Sequence, residues 1–244
     1  MRADLALVAR GLFPSRAKAA EAIAAGLVRA DGRVVAKPSE PIAPAAMIEA
    51  TAPYPWVSRG GVKLEAALDA FGFDPQGETC LDVGASTGGF TDVLLARGAA
   101  SVVAVDVGTG QLHPRIAADP RVFALEKTDA RALTRDGLPT APGLIAIDVS
   151  FISLTLVLPH VLPLAAPRAR LVALVKPQFE AGPQRVRKGI ARDAADHDAA
   201  CDRVTAAVAS SGWRVVGVIP SPIAGGDGNR EFLLGARSSQ METI

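Results

Sequence analysis

Cysteine is almost absent from this chain: Cys80 and Cys201 are the only two in 244 residues, and they lie far apart. That excludes a disulfide framework and the paired-cysteine spacing of a structural zinc site. Histidine is equally sparse, with His113, His160 and His197 scattered along the chain, so no metal site is expected. Aromatic residues make up 5% of the chain, too few for a surface built mainly on stacked bases. A formal net charge of +1 means that no global field draws the protein to a polyanion, and any nucleic-acid surface has to be a local patch. A clean transmembrane run is missing too. The most apolar stretch, 144–166, carries Asp148 near its start, and Pro159, His160 and Pro163 break it later. It reads as a buried strand followed by a helix, not as a bilayer crossing. The opening MRADLALVARGL is too short an apolar run for a signal peptide, so a cytoplasmic protein with no membrane partner is expected.

Apolar residues are 49% and charged residues 21%, a globular balance with ample material for a core. Two regions follow from the patterning. In the first, Leu5, Leu7, Val8 and Leu12 can share one face of a short helix. Ser15 is a good N-cap for a second helix over 16–25, and Gly26 stops it. The strand-like 27–30 and 33–35 flank Asp31-Gly32, a hairpin turn signal. Pro38, Pro41, Pro44, Pro53 and Pro55 then punctuate the chain, and the domain boundary is expected there.

From Ser58 on, helices alternate with buried strands. Strands are expected at 79–83, 101–107, 121–125, 144–149, 169–176, 213–219 and 231–236, with helices over 61–71 and 193–211. That alternation predicts an α/β fold with a mostly parallel sheet covered by helices on both faces.

The sharpest local signal is Leu81-Asp82-Val83-Gly84-Ala85-Ser86-Thr87-Gly88-Gly89-Phe90, a strand entering a glycine turn and then a helix. In a doubly wound sheet the crevice at such a strand end holds ligands. The spacing is neither the dinucleotide fingerprint nor the phosphate loop. An acid precedes the first glycine and no lysine follows, which suits a cationic ligand such as a sulfonium better than a pyrophosphate. Asp106, with Val107, ends the next strand about 20 residues after the glycine turn, where an acid accepts hydrogen bonds from ribose hydroxyls. Asp129, after a third strand, is placed to reach a base. Each acid alone reads as a helix cap. The glycine turn with two acids at successive strand ends reads as nucleoside binding.

These residues resemble the S-adenosylmethionine loop of class I methyltransferases. Together with Ser58-Arg59-Gly60-Gly61-Val62-Lys63-Leu64, Asp148-Val149-Ser150-Phe151-Ile152-Ser153 and Val175-Lys176-Pro177-Gln178-Phe179-Glu180, they resemble the TlyA family over nearly the whole chain. Members are ribosomal RNA 2′-O-methyltransferases, often labelled haemolysins. The resemblance implies a Rossmann-like, mostly parallel seven-stranded sheet with an FtsJ-like methyltransferase domain over 58–238. It implies a small α+β S4-like RNA-binding domain over 1–53, a linker over 54–57 and a tail over 239–244. It implies S-adenosylmethionine bound by Asp82, the turn from Gly84 to Phe90, Asp106, Val107, Asp129 and Asp148. It implies methylation of a ribose, a cytidine, in 16S and/or 23S ribosomal RNA or in ribosomal subunits. It also implies a Lys-Asp-Lys-Glu set, which falls on Lys63, Asp148, Lys176 and Glu231.

The chemistry agrees with that set. A ribose hydroxyl is too weak an acid to ionise at neutral pH, so its proton needs a positioned acceptor. A lysine at the end of an apolar strand, as Lys176 is, is costly unless partnered. Lys176 is expected to help deprotonate the hydroxyl, Asp148 to tune Lys176, and Lys63 with Glu231 to position the ribose. Taken singly, Lys63 reads as a surface lysine and Glu231 as a strand-edge acid. Amino-directed methyltransferases often carry Asn/Asp-Pro-Pro-aromatic at the fourth strand, and Asp148-Val149-Ser150-Phe151 lacks both prolines.

RNA contacts are expected from the basic first region. Over 1–37, seven basic residues stand against three acidic ones. Arg2, Arg10, Ser15, Arg16, Lys18, Arg29 and Lys37, within a pattern that resembles the S4 domain, are the candidates for phosphate contacts. Arg59 and the cluster Arg185, Arg187 and Lys188 are further candidates, although a solvated basic loop explains that cluster equally well. Two rival functions stand beside this reading: a membrane-lytic haemolysin, and an RNA-binding protein whose catalytic domain is inactive.

Overall fold

A computed structural model describes residues 1–182, 185–186 and 188–239. Arg187 and residues 240–244, which include most of the expected tail, lie outside the described residues. The chain forms two compact units, Met1–Pro55 and Trp56–Ile244. Tyr54 and Pro55 thus group with the first unit, and Trp56 and Val57 with the second.

In the first unit, helices α1 (Ala3–Ala9) and α2 (Arg16–Ala24) precede strands β1 (Val28–Ala30), β2 (Arg33–Val34) and β3 (Ile48–Ala50). The Ser15 hydroxyl accepts the Lys18 amide at the start of α2, as an N-cap should. Asp31 and Gly32 both hold positive φ, +50° and +75°, and Arg33 pairs with Ala30 across them. This is a two-residue hairpin whose twist matches the strands. The proline-rich stretch hides one element that periodicity does not reveal. β3 pairs antiparallel with the other side of β1, giving a sheet of order β2-β1-β3. The core gathers Leu7, Phe13, Ile23, Val28, Val35 and Ile42. The buried face of α1 is Ala3, Ala6 and Leu7, while Leu5 and Leu12 are exposed. Of the expected stripe, Leu7 and Val8 meet the core; Leu5, two residues and about 200° from Leu7, faces away from it, and Leu12 falls beyond the helix, which ends at Ala9.

The second unit opens with α3 (Gly60–Phe71), followed by β4 (Thr79–Val83), α4 (Gly89–Ala96), β5 (Ser101–Val105), α5 (Pro114–Ala117) and β6 (Val122–Leu125). It continues through β7 (Leu144–Ile147), α6 (Leu154–Val161), β8 (Arg170–Val175), α7 (Pro177–Glu180), α8 (Ala194–Ser210), β9 (Trp213–Pro220) and β10 (Phe232–Ser238). The seven strands form one sheet of order β6-β5-β4-β7-β8-β10-β9. Every pairing from β6 to β8 is parallel, and β10 is antiparallel to both β8 and β9.

Two buried clusters cover the faces. One packs α6 and α8 through residues such as Leu158, Val161 and Val204, and the other packs α3 and α4 through Leu64, Leu68 and Leu94. Side chains alternate between the faces, so β7 and β8 are buried along almost their whole length. The apolar stretch is the expected strand followed by a helix, and Pro159 lies inside that helix, α6. That helix spans only Leu154–Val161, so the missing N–H forfeits one bond near its last turn. The strand order reverses at β4, whose two neighbours are β5 and β7, and a ligand crevice opens at the carboxyl ends of such strands.

Candidate active site

β4 leaves the sheet at Val83 and turns sharply. Gly84 holds φ +86°, and a Cβ there would lie 2.4 Å from the Asp148 carbonyl oxygen. Only glycine lets the ends of β4 and β7 approach this closely. Asp106, just past β5, accepts the Ser86 amide on one carboxylate oxygen at 2.8 Å and the Gly108 amide on the other at 2.7 Å. It therefore fastens the glycine turn to the loop after β5. Beside this junction lies a cavity of about 450 Å³, within the usual range for a small-molecule site.

Among the expected cofactor contacts, Gly84, Ser86, Asp106, Val107, Asp129 and Asp148 line the cavity. The others do not. Asp82 is fully buried, and one carboxyl oxygen accepts the Thr91 hydroxyl at 2.6 Å. Its other oxygen has no hydrogen-bond partner among the described residues, and burial pushes the carboxyl up to about 7. Asp82 braces the turn from beneath. Ala85, Gly88, Gly89 and Phe90 are buried in the turn and the start of α4, and Thr87 is exposed. Asp129 is held by Arg131 through both carboxylate oxygens, which depresses its pKa to about 2. Sequence reasoning passed over Val83, Thr128, Ala130, Val149 and Ile152, which also line the cavity. Apolar residues at strand ends look alike whether they pack a core or a ligand.

All four residues of the lysine-acid set are held in pairs. Lys63 on α3 meets Glu231 at 2.5 Å, and both side chains are buried. Lys176, at the carboxyl end of β8, lies 2.6 Å from Asp148 Oδ1 and donates to the Ser150 hydroxyl at 2.8 Å. The Asp148 contact is an ion pair that falls short of a directed hydrogen bond, so Oδ1 is buried without one. The two pairs are neighbours. Phe232 of β10 pairs with Val175 of β8, so the next register position sets Glu231 across from Lys176. Burying the Lys63–Glu231 pair and the Lys176 ammonium at adjacent strand ends costs desolvation, which a folding requirement alone does not explain.

Residues 56–238 match the model of the FtsJ-like methyltransferase family, and residues 1–48 match the S4 domain. This chain belongs to the FtsJ-like methyltransferases. It is 46% identical over 240 residues to the 16S/23S rRNA (cytidine-2′-O)-methyltransferase TlyA of Mycobacterium tuberculosis, covering 97% of this chain and 90% of that protein. It is 38% identical to Hemolysin A of Brachyspira hyodysenteriae, covering 96% of this chain and 98% of the relative. A solved structure from Streptococcus thermophilus, also labelled a hemolysin, superposes with a TM-score of 0.77 at 40% identity, covering 100% of this chain and 91% of its own. The seven-stranded sheet is that of S-adenosylmethionine-dependent methyltransferases. Among the described residues, no helix is long and apolar enough to cross a membrane, and no group of histidine, cysteine and acidic side chains is placed to hold a metal.

The basic residues of the S4 unit divide into two kinds. Arg2 and Arg16 both grip the buried carboxylate of Asp4, at 3.0 and 2.9 Å. Arg10 donates to the carbonyls of Ala46 and Pro44, at 2.6 and 2.7 Å. Lys18 lies over the Tyr54 ring and donates to its hydroxyl, which in turn donates to Glu21. Arg29 donates to the Gly32 carbonyl at 3.0 Å, and the Ser15 hydroxyl is used as the N-cap. Lys37 is exposed. In the methyltransferase unit, Arg59 occupies the N-cap position of α3. Arg185 pairs with Asp196 at 3.0 Å, and Lys188 is exposed.

Proposed function

We propose that this FtsJ-like methyltransferase moves a methyl group from S-adenosylmethionine to the 2′-oxygen of a cytidine ribose in 16S and/or 23S ribosomal RNA, in the cytoplasm. The observation that carries the reading is the two ion pairs at the ends of β7, β8 and β10: Lys63–Glu231, which is buried, and Lys176–Asp148, whose carboxylate is partly exposed at the cavity wall. The TlyA relative is named for the same reaction.

The cavity fits the cofactor in charge and shape. Asp106, Asp129 and Asp148 bring three carboxylates against two cations, Arg131 on Asp129 and Lys176 on Asp148, and the net negative charge that remains favours a cation. Asp106 uses each oxygen once and retains lone pairs for ribose hydroxyls. Gly84 gives the ligand a bare backbone to lie against. When bound, S-adenosylmethionine supplies an electrophilic methyl group on a sulfonium.

The chain's own residues do the rest. The ribose 2′-hydroxyl bonds to Lys176 Nζ, which Asp148 and Ser150 hold in place. As the O–CH₃ bond forms, the O–H bond breaks: its proton passes to Lys176 Nζ while the ammonium gives one of its own protons to Asp148, which ends protonated; the bound cofactor would supply the methyl group and keep the S–CH₃ electrons on sulfur. Lys63, fixed by Glu231, steadies the ribose beside them. This is general base catalysis with orientation. Lys37 and Lys188 supply sequence-independent phosphate contacts, while Arg2, Arg10 and Arg16 shape the S4 unit that carries the patch. The division into an S4 unit and a methyltransferase unit is read as one part that grips RNA and one that reacts.

The test is methyl transfer from labelled S-adenosylmethionine to ribosomal subunits lacking the modification, followed by mapping of the label. Label on a ribose 2′-oxygen is the expected result. Label on a base contradicts the target chemistry. No label on subunits or naked RNA, together with lysis of liposomes by the purified protein, returns the haemolysin reading. Cofactor binding without turnover returns the inactive-domain reading.

A further inference from the structure

Two segments carry the Lys176–Asp148 pair: the loop 148–153 after β7, and Lys176 with α7 behind it. Polar contacts tie them to each other at two places. At the near tie Lys176 Nζ meets Asp148 and Ser150. At the far tie stands Glu180, the last residue of α7, only 2% exposed. Its Oε1 accepts the Leu154 amide at 2.8 Å, and its Oε2 accepts the Ser153 hydroxyl at 2.5 Å. Leu154 opens α6, where an amide has no partner within its own helix and a carboxylate is favoured.

Burying a carboxylate is costly unless it is hydrogen-bonded, and Glu180 lines neither the cofactor cavity nor the neighbouring open cleft. Its bonds run across 26 and 27 residues of sequence to the same segment that Lys176 holds through Ser150 and Asp148. Between the two ties, Phe151 holds φ +64°, a left-handed conformation that non-glycine residues resist. Its ring lies 5.3 Å from that of Phe179 on α7. A strained residue held between two anchors relaxes when one is released. Ser150 is its immediate neighbour, so that relaxation would carry Ser150 away from Lys176.

We infer that Glu180, through Ser153 and Leu154, is a positioning residue that keeps Ser150 on Lys176 Nζ. The inference rests on the reading of Lys176 as the catalytic lysine. The experiment is a double-variant cycle in the labelled transfer reaction, using Glu180→Ala, Ser150→Ala and both together, with cofactor affinity measured by calorimetry. Each single variant should lower kcat on the order of 10- to 100-fold, since small misplacements of catalytic groups cost that much. The double variant should be no slower than the slower single one, because both remove the same arrangement. Glu180→Gln should recover most of kcat: its amide oxygen accepts the Leu154 amide and its nitrogen donates to the Ser153 hydroxyl.

A double variant whose loss is the product of the two single losses would show Glu180 acting only as general scaffolding and overturn the inference. So would Glu180→Ala with wild-type kcat. If Glu180→Ala does not fold, Ser153→Ala removes one bond of the same tie and completes the cycle. Wild-type protein that labels no ribose overturns the proposed function and this inference together. Labelled ribose with an additive cycle overturns the inference alone.

Discussion

Asp82 has no access to solvent, and its carboxyl is pushed up to about 7 by burial, with the nearby Asp148 charge pushing the same way. An unfolded aspartate titrates at its ordinary 3.8. The folded chain therefore binds more protons than the unfolded chain between those values. The stability tied to this group is full below pH 3.8 and is lost as pH rises through about 7. Asp82→Asn, which resembles the protonated carboxyl and keeps an acceptor for Thr91, should remove that slope. Thermal melts between about pH 5 and 8 should show the variant gaining on wild type as pH rises, by no more than about 1.4 kcal/mol per pH unit. Parallel curves would contradict the assignment. Gly84 permits a second prediction at this scale. In Gly84→Ala, the positive φ alone costs roughly 1–2 kcal/mol, and the overlap with Asp148 adds to it. Calorimetry should find cofactor affinity down by at least about 10-fold, a loss near 1.4 kcal/mol. Unchanged affinity would show that the turn does not touch the cofactor.

Among the elements, the hairpin and the loop 43–46 of the S4 unit separate bracing from binding. Arg10 spends its guanidinium on the carbonyls of Ala46 and Pro44, whereas Lys37 is exposed. Arg10→Ala should lower the melting temperature of the protein, since it strands the part-buried Ala46 carbonyl, a loss of about 1–3 kcal/mol. Lys37→Ala should leave the melting temperature unchanged and weaken RNA binding alone. Equal melting temperatures for both would refute the division. The same contrast explains what could be read in advance. Apolar runs and glycine stops place β4, β5, β7, β8 and α8 within a residue or two of the observed bounds, because burial dictates their composition. β3 escaped, since Ile48–Ala50 is three residues long and follows prolines that argue for loop. Lys176 stood out as a charge closing an apolar strand. Glu180 and Ser153 did not, because a bond across 27 residues leaves no spacing in the sequence. Asp82 was misleading because position beside a glycine turn does not reveal which way a strand residue faces.

At the level of the whole molecule, a net charge of +1 hides an uneven distribution. The first 37 residues carry seven basic and three acidic side chains, so the rest of the chain is net acidic. The three carboxylates of the cavity belong to that acidic part. An RNA held mainly by phosphate contacts releases counterions on binding, so affinity should fall linearly in logarithm with salt. The central claim, however, concerns the chemistry: Lys176 handles the proton of a ribose hydroxyl. The measurement that tests it most directly is single-turnover methyl transfer to ribosomal subunits by wild type and Lys176→Ala, alongside calorimetry of S-adenosylmethionine binding to both. The account predicts that the variant binds the cofactor but transfers methyl at least about 100-fold more slowly, the scale of a lost general base. A variant that still binds cofactor and labels the ribose at the wild-type rate would contradict it.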